Sequence, residues 1–162
     1  MHGGPVIIGF DGTRAALHAL DETAPLLLGQ QVLVVMVWEA GKAIDLAENP
    51  STGFDHPVQS LDLSGAFAAD QAAYEAAVRI AERGAQFATN AGLKAEGLAV
   101  ADAGTVAETL LNLAVERDAR AIVVGTHSHG RVSEVLFGTT TRAVMEHATC
   151  PVLVVREKPR NG

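Results

Sequence analysis

The run "QVLVVMVW", Gln31 to Trp38, is continuous, apolar and rich in β-branched residues. A half-exposed strand alternates apolar and polar side chains, so a run with no polar face suits a strand covered on both sides. Similar short runs recur: "VIIGF" at Val6 to Phe10, "RAIVV" at Arg120 to Val124 and "CPVLVV" at Cys150 to Val155. "KAEGLAVA", Lys94 to Ala101, alternates and reads as a weaker strand near an edge.

Helix-period segments separate these runs. Leu17, Leu20, Ala24 and Leu27 recur at helical spacing after the first. Ala68 to Asn90 reads as the longest helix, with Tyr74, Ala77, Val78, Ala81, Ala85 and Ala88 as its apolar stripe and Gly92 as its stop. Thr105 and Glu108 form a capping box that opens a helix with Ala107, Leu110, Leu111 and Ala114 inward. A further helix is expected from Thr139 to Ala148, with Val144, Met145 and Ala148 on one face. Strands alternating with helices predict an open, mostly parallel sheet with right-handed crossovers and helices on both faces.

Residues 39–65 show no clear period and hold several Gly, Pro, Ser and Asn. They are expected to form a long loop inserted within one βα unit, a functional lid or a segment without order. With 162 residues, 48% of them hydrophobic, the chain makes one domain with one sizeable core. The formal charge of -7 opposes binding to nucleic acid. A small phosphate ligand stays open, because helix-start N–H groups bind phosphate without Lys or Arg. The one cysteine, Cys150, permits no intrachain disulfide and fits a reducing cytoplasm. The N-terminal "MHGGPVIIGFDG" predicts no signal peptide and no lipidation, and no apolar stretch approaches the ~20 residues of a membrane span.

In such a sheet, ligands bind outside the carboxyl ends of the strands, where strand order reverses. The turn after the first strand (Gly9, Phe10, Asp11, Gly12, Thr13), the end of the second (Val37, Trp38) and the turn from Gly125 onward should meet there. Asp11 could accept from ribose hydroxyls or an adenine amino group, or simply cap the first helix. Gly125, Gly130 and Gly138 could admit phosphates close to the backbone, or merely turn the chain. Thr139, Thr140 and Thr141 could offer hydroxyls and N–H groups at a positive helix end, where a structural role accounts for one Thr better than for three. His127 and His129 invite a metal reading, with Glu134 the nearest acid. Cys150 reads as buried and inert rather than catalytic. There is no Walker A loop, no Gly-x-Gly-x-x-Gly after the first strand and no nucleophile elbow. The residues alone predict a small α/β domain with an anion-friendly crevice, and no reaction.

"VIIGFDGTRAALHAL", "LVVMVWEA" and above all "ARAIVVGTHSHGRVSEVLFGTTTRAVMEHATCPVLVVR" resemble the universal stress protein family. The resemblance implies its adenine nucleotide alpha hydrolase-like fold, with sheet order 3-2-1-4-5. Its nucleotide-binding branch carries Gly-x2-Gly-x9-Gly-[Ser/Thr]; here Gly125, Gly138 and Thr139 match at the same spacing, and Ser128 stands in place of the second Gly. Ser there is strained if the backbone needs positive φ, and adds a hydroxyl donor if only close approach is needed. By resemblance, Asp11 would hold the ribose or adenine, Val37 would line the adenine slot, and the segments around Gly125 and Gly138–Thr140 would hold ribose and phosphates. The implied site is Gly9, Phe10, Asp11, Thr13, Val37, Val124, Gly125, Thr126, Ser128, Gly138, Thr139, Thr140 and Thr141, with ATP or AMP as ligand and Mg as an accompanying ion.

The same order puts the last strand on an edge, where "PVLVV" has no inward charge. Such an edge invites pairing with a copy of itself, and the resemblance implies a homodimer through Pro151 to Val155. The tail "REKPRNG" could instead cover it. The leading expectation is a cytoplasmic, dimeric, nucleotide-binding stress sensor acting on an unknown protein partner. Its rivals are a slow ATPase or phosphotransferase using Asp11, Glu134, His127 or His129, and a ligand-free dimeric scaffold.

Overall fold

The computed structural model describes residues 3–48, 63–126 and 138–156. Its elements are β1 (Val6–Gly9), α1 (Arg14–Thr23), a 3-10 turn (Ala24–Leu26), β2 (Gln31–Trp38), α2 (Lys42–Glu48), α3 (Leu63–Asn90), β3 (Lys94–Ala101), α4 (Val106–Glu116), β4 (Ala121–Thr126), α5 (Thr139–His147) and β5 (Val152–Arg156). The five strands form one sheet in the order β3-β2-β1-β4-β5, and every pair is parallel.

Strand alternation divides the core into two layers. Val6, Ile8, Val32, Val34 and Val123 pack on one face with Ala16 and Leu20 of α1 and Ala85 and Ala88 of α3. Ile7, Leu33, Val35, Ile122 and Val124 pack on the other with Leu110 and Leu113 of α4 and Val144 of α5. The continuous apolar runs are needed because the central strands have no solvent face.

The helix α3 lies unusually near the sheet. A Cβ on Gly84 would stand 2.7 Å from Val34 Cγ1 and 2.8 Å from Phe10 Cδ1, and one on Gly97 would stand 2.6 Å from the Ala81 carbonyl oxygen. The buried face of α3 is accordingly small: Ala77, Ala81, Gly84, Ala85 and Ala88. Tyr74, expected on that stripe, is 41% exposed. It packs instead beside Trp38, ring centroids 5.5 Å apart at 54°.

The expected 39–65 loop is corrected in part. Lys42–Glu48 is helical, and α3 begins at Leu63. The α2 helix is too short for an apolar period to show in sequence. It is held by tertiary structure: Asp70 of α3 accepts from the Gly41 N–H at 2.7 Å, and the Asp45 N–H donates to the Gly41 carbonyl at 2.8 Å. Residues 49–62 lie outside the described residues.

Two helix faces also differ from expectation. Met145 is exposed while Val144 is fully buried, because only one residue per turn of this short helix meets the sheet. On α4, Leu113 is buried and Leu111 only half-buried. The capping box at Thr105 and Glu108 is present, with bonds of 3.1 and 3.0 Å.

Candidate functional site

The sheet order reverses between β1 and β4, both of which neighbour parallel strands on either side. Beyond β1 the chain turns away, and the Phe10 N–H donates to the Val35 carbonyl at 2.8 Å as its last ladder-like bond. The end of β2 therefore stands clear of its neighbour and borders a crevice of about 330 Å³. Small-molecule sites run from roughly 300 to 1,000 Å³, so this one is at the small end.

Twelve of the expected residues fall among the described ones, and eleven of them line this crevice: Gly9, Phe10, Asp11, Thr13, Val37, Val124, Gly125, Gly138, Thr139, Thr140 and Thr141. Thr126 is placed otherwise: it is buried at the end of β4 and contributes nothing to the wall. Ser128 lies outside the described residues, as do His127, His129, Gly130 and Glu134.

The wall also includes Ala15 and Ala16 of α1, Val35 and Met36 of β2, and Val106 and Leu110 of α4. Sequence reasoning missed these six. Helical spacing marked Leu110 as core, and nothing in a linear pattern distinguishes a core side chain from one whose tip reaches a crevice.

The β1–α1 turn is a small network. Thr13, not Asp11, is the N-cap of α1, its Oγ1 accepting from the Ala16 N–H at 3.3 Å. The same hydroxyl donates to Asp11 Oδ1 at 2.6 Å, and the Thr13 N–H donates to that oxygen at 3.0 Å. Asp11 thus supports the cap one step removed, and its carboxylate is held at the crevice wall. Gly12 between them has φ 79°, a left-handed conformation that favours glycine.

On the opposite wall, α5 starts at Gly138, with no side-chain cap bond. The first N–H groups of any α-helix lack intrahelical partners, and the helix dipole makes that end positive. Here the first helical bond is donated by the Arg142 N–H to the Gly138 carbonyl, at 3.0 Å. The preceding N–H groups, with the hydroxyls of Thr139 and Thr140, border the crevice. Thr141 has a structural role: it is buried, and its Oγ1 donates to the Gly125 carbonyl at 3.3 Å, tying α5 to β4.

The two glycines of this wall differ. A Cβ on Gly125 would press on α1, 3.2 Å from the Ala15 carbonyl oxygen and 3.3 Å from Ala19 Cβ. One on Gly138 would meet nothing within 4 Å among the described residues, and its φ of -57° suits any residue. Helix packing thus accounts for glycine at Gly125, whereas packing among the described residues does not account for it at Gly138.

Cys150 is half-buried and packs against the α4–α5 side of the core, away from this wall. Burial pushes its thiol above the usual cysteine range, which disfavours the nucleophilic thiolate. A larger, shallower groove of about 580 Å³ lies beyond the end of β2, between α2 and α3. The start of the seven-residue α2 lies in it beside Glu39 and Asp70, whereas the start of α5 with its Thr hydroxyls borders the smaller crevice.

A family model described as "Universal stress protein family" matches residues 4–156. The chain is 26% identical over 152 residues to the universal stress protein YxiE of Bacillus subtilis (strain 168), covering 93% of this chain and 97% of that one. Its fold is similar to that of the Archaeoglobus fulgidus universal stress protein in complex with dAMP, with a TM-score of 0.62 at 20% identity, covering 96% of this chain and 99% of that one. It is likewise similar to a universal stress protein family protein of Arabidopsis thaliana with AMP bound, with a TM-score of 0.61 at 12% identity, covering 96% and 93%.

Proposed function

The chain belongs to the universal stress protein family, and from that premise we propose that its crevice binds an adenine nucleotide, ATP or AMP, as the input of a stress-response sensor or regulator. The observation that carries this reading is Gly138. An open glycine caps a helix start that has no side-chain acceptor, on the wall facing a held carboxylate.

The wall suits the parts of such a ligand. The N–H groups and hydroxyls at Thr139 and Thr140 would hold phosphate, with Mg accompanying ATP. Gly9 leaves room beside the ribose, on the side of Leu110. Val35, Met36 and Val37 would flank the adenine, and Asp11 would accept from its amino group or from ribose hydroxyls. No Lys or Arg is among the described lining residues. The phosphate donors of the described wall are backbone dipoles and hydroxyls, which tolerate a chain of net charge -7.

No side chain of the described residues fills the crevice, which favours this reading over a scaffold with a decayed site. Among the described residues no helix is long and apolar enough to cross a membrane, and we place the protein in the cytoplasm. We further propose a homodimer through β5, which pairs only with β4 among the described strands. Its outer edge continues the apolar run from Val152 to Val155, whereas the opposite edge, β3, carries Lys94 and Glu96.

Mass spectrometry of small molecules released from freshly purified protein tests the nucleotide reading, together with thermal unfolding in AMP and ATP. Bound or protective adenine nucleotide, reduced in an Asp11→Ala variant, is the expected result. Absence of both retention and protection overturns it.

A further inference from the structure

We propose that the nucleotide crevice is open at its adenine end, and that it accepts adenine nucleotides carrying a flat apolar group on the exocyclic amine. This rests on the nucleotide reading above and adds a substrate class to it.

The argument begins with the two depressions at the end of β2. Met36 and Val37 line both the 330 Å³ crevice and the 580 Å³ groove beside it. Strand alternation puts Val37 with Val35 on the α4–α5 face and Met36 with Val34 on the α3 face. The partition between the cavities is therefore one strand end. Its groove-side residue, Met36, is a half-buried thioether with three rotatable bonds, the side chain that adapts most readily to a changed neighbour.

A second contact joins the cavities. Gly12, next to Asp11, approaches Ile80 of α3 so closely that a Cβ there would stand 3.3 Å from Ile80 Cγ2. Ile80 also lines the groove. The edge of the base that Asp11 addresses through an amino group thus faces the side on which the groove lies.

The groove's chemistry selects its occupant. Ala69, Ala73, Ala76 and Ala77 form a smooth floor and Trp38 an aromatic flank, while Glu39 and Lys42 pair with each other and Asp70 is engaged by the Gly41 N–H. With its charged groups engaged in this way, the groove offers apolar area to a planar ring rather than a site for a second phosphate. Because only the strand end at Met36 and Val37 separates it from the crevice, a substituent of the bound nucleotide is the fitting occupant.

The experiment measures affinities of AMP and N6-benzyl-AMP by calorimetry, for the full chain and for an Ala73→Trp variant. Ala73 is exposed, so the indole fills the groove without entering the core; unchanged melting without ligand checks this. N6-benzyl-AMP should bind the unmodified chain within about threefold of AMP or more tightly, and the variant should lose it by about tenfold while AMP shifts less than about twofold. AMP binding with rejection of N6-benzyl-AMP by the unmodified chain overturns the inference and leaves the nucleotide reading intact. So does a variant that retains N6-benzyl-AMP or weakens both ligands alike. Binding of neither ligand overturns both.

Discussion

The hydroxyl of Thr13 donates to Asp11 Oδ1 at 2.6 Å while accepting from the Ala16 N–H. One side chain thus caps α1 and holds the carboxylate that faces the crevice. Thr13→Ala removes the cap and the shorter of Thr13's two bonds to Asp11, leaving that from its backbone N–H. Loss of the cap should cost about 1 kcal/mol in urea unfolding, and AMP affinity should fall as Asp11 loses its side-chain tether. Thr13→Ser keeps the hydroxyl and should restore both. If the Ala variant binds AMP as tightly as the Ser variant does, the hydroxyl tether is irrelevant to the ligand.

Gly138 separates ligand from fold. Since its position is open and its φ is -57°, Gly138→Ala should lower stability by no more than about 1 kcal/mol, the cost of a poorer N-cap. AMP affinity should nevertheless drop, because the added methyl stands where phosphate approaches the helix start. Paired unfolding and calorimetry measure the two effects, and equal AMP affinity would remove Gly138 from the site.

Gly84 carries the opposite expectation. Gly84→Ala drives a methyl against Val34 and Phe10, at 2.7 and 2.8 Å before relaxation. Overpacking of this kind should destabilise the chain by about 1–3 kcal/mol, outweighing the better helix propensity of Ala. A denaturant midpoint equal to or above that of the parent would contradict the close packing of α3.

The edge strand can be tested through its backbone. The Ile122 N–H donates to the Pro151 carbonyl at 2.9 Å. By the alternation of a parallel ladder, Leu153 and Val155 then bond inward, and the N–H groups of Val152 and Val154 point outward. Val154→Pro removes an outward donor and leaves the β4 ladder intact. Light scattering should show a dimer for the parent and a monomer for the variant. A parent that is monomeric at all concentrations would rule out the β5 pairing.

Burial of Cys150 raises its pKa, so thiolate is scarcer at neutral pH than for a free cysteine. Alkylation at pH 7 should be slower than for a model thiol, with a rate that keeps rising above the ordinary cysteine pKa. Nucleotide should leave the rate unchanged, because Cys150 is not part of the crevice wall.

The succession of strands and helices along the chain and most of the site wall were legible in the linear chain, while the sheet order came from the family resemblance. Burial on both faces imposes unbroken apolar runs such as "VLVV", and the chain's own chemistry marks turns such as Asp11-Gly12-Thr13. These signals are local, so the sequence alone determined them. Tertiary structure decided the rest. It chose Thr13 over Asp11 as the cap, because the turn at Gly12 sets which oxygen reaches the Ala16 N–H. It made α2 a helix by supplying Asp70 from α3 to the Gly41 N–H. It brought Val106 and Leu110 to the crevice and turned Tyr74 out to Trp38. The last three depend on groups far apart along the chain, and no local period or propensity records which of them will meet; the first depends on the backbone path through Gly12.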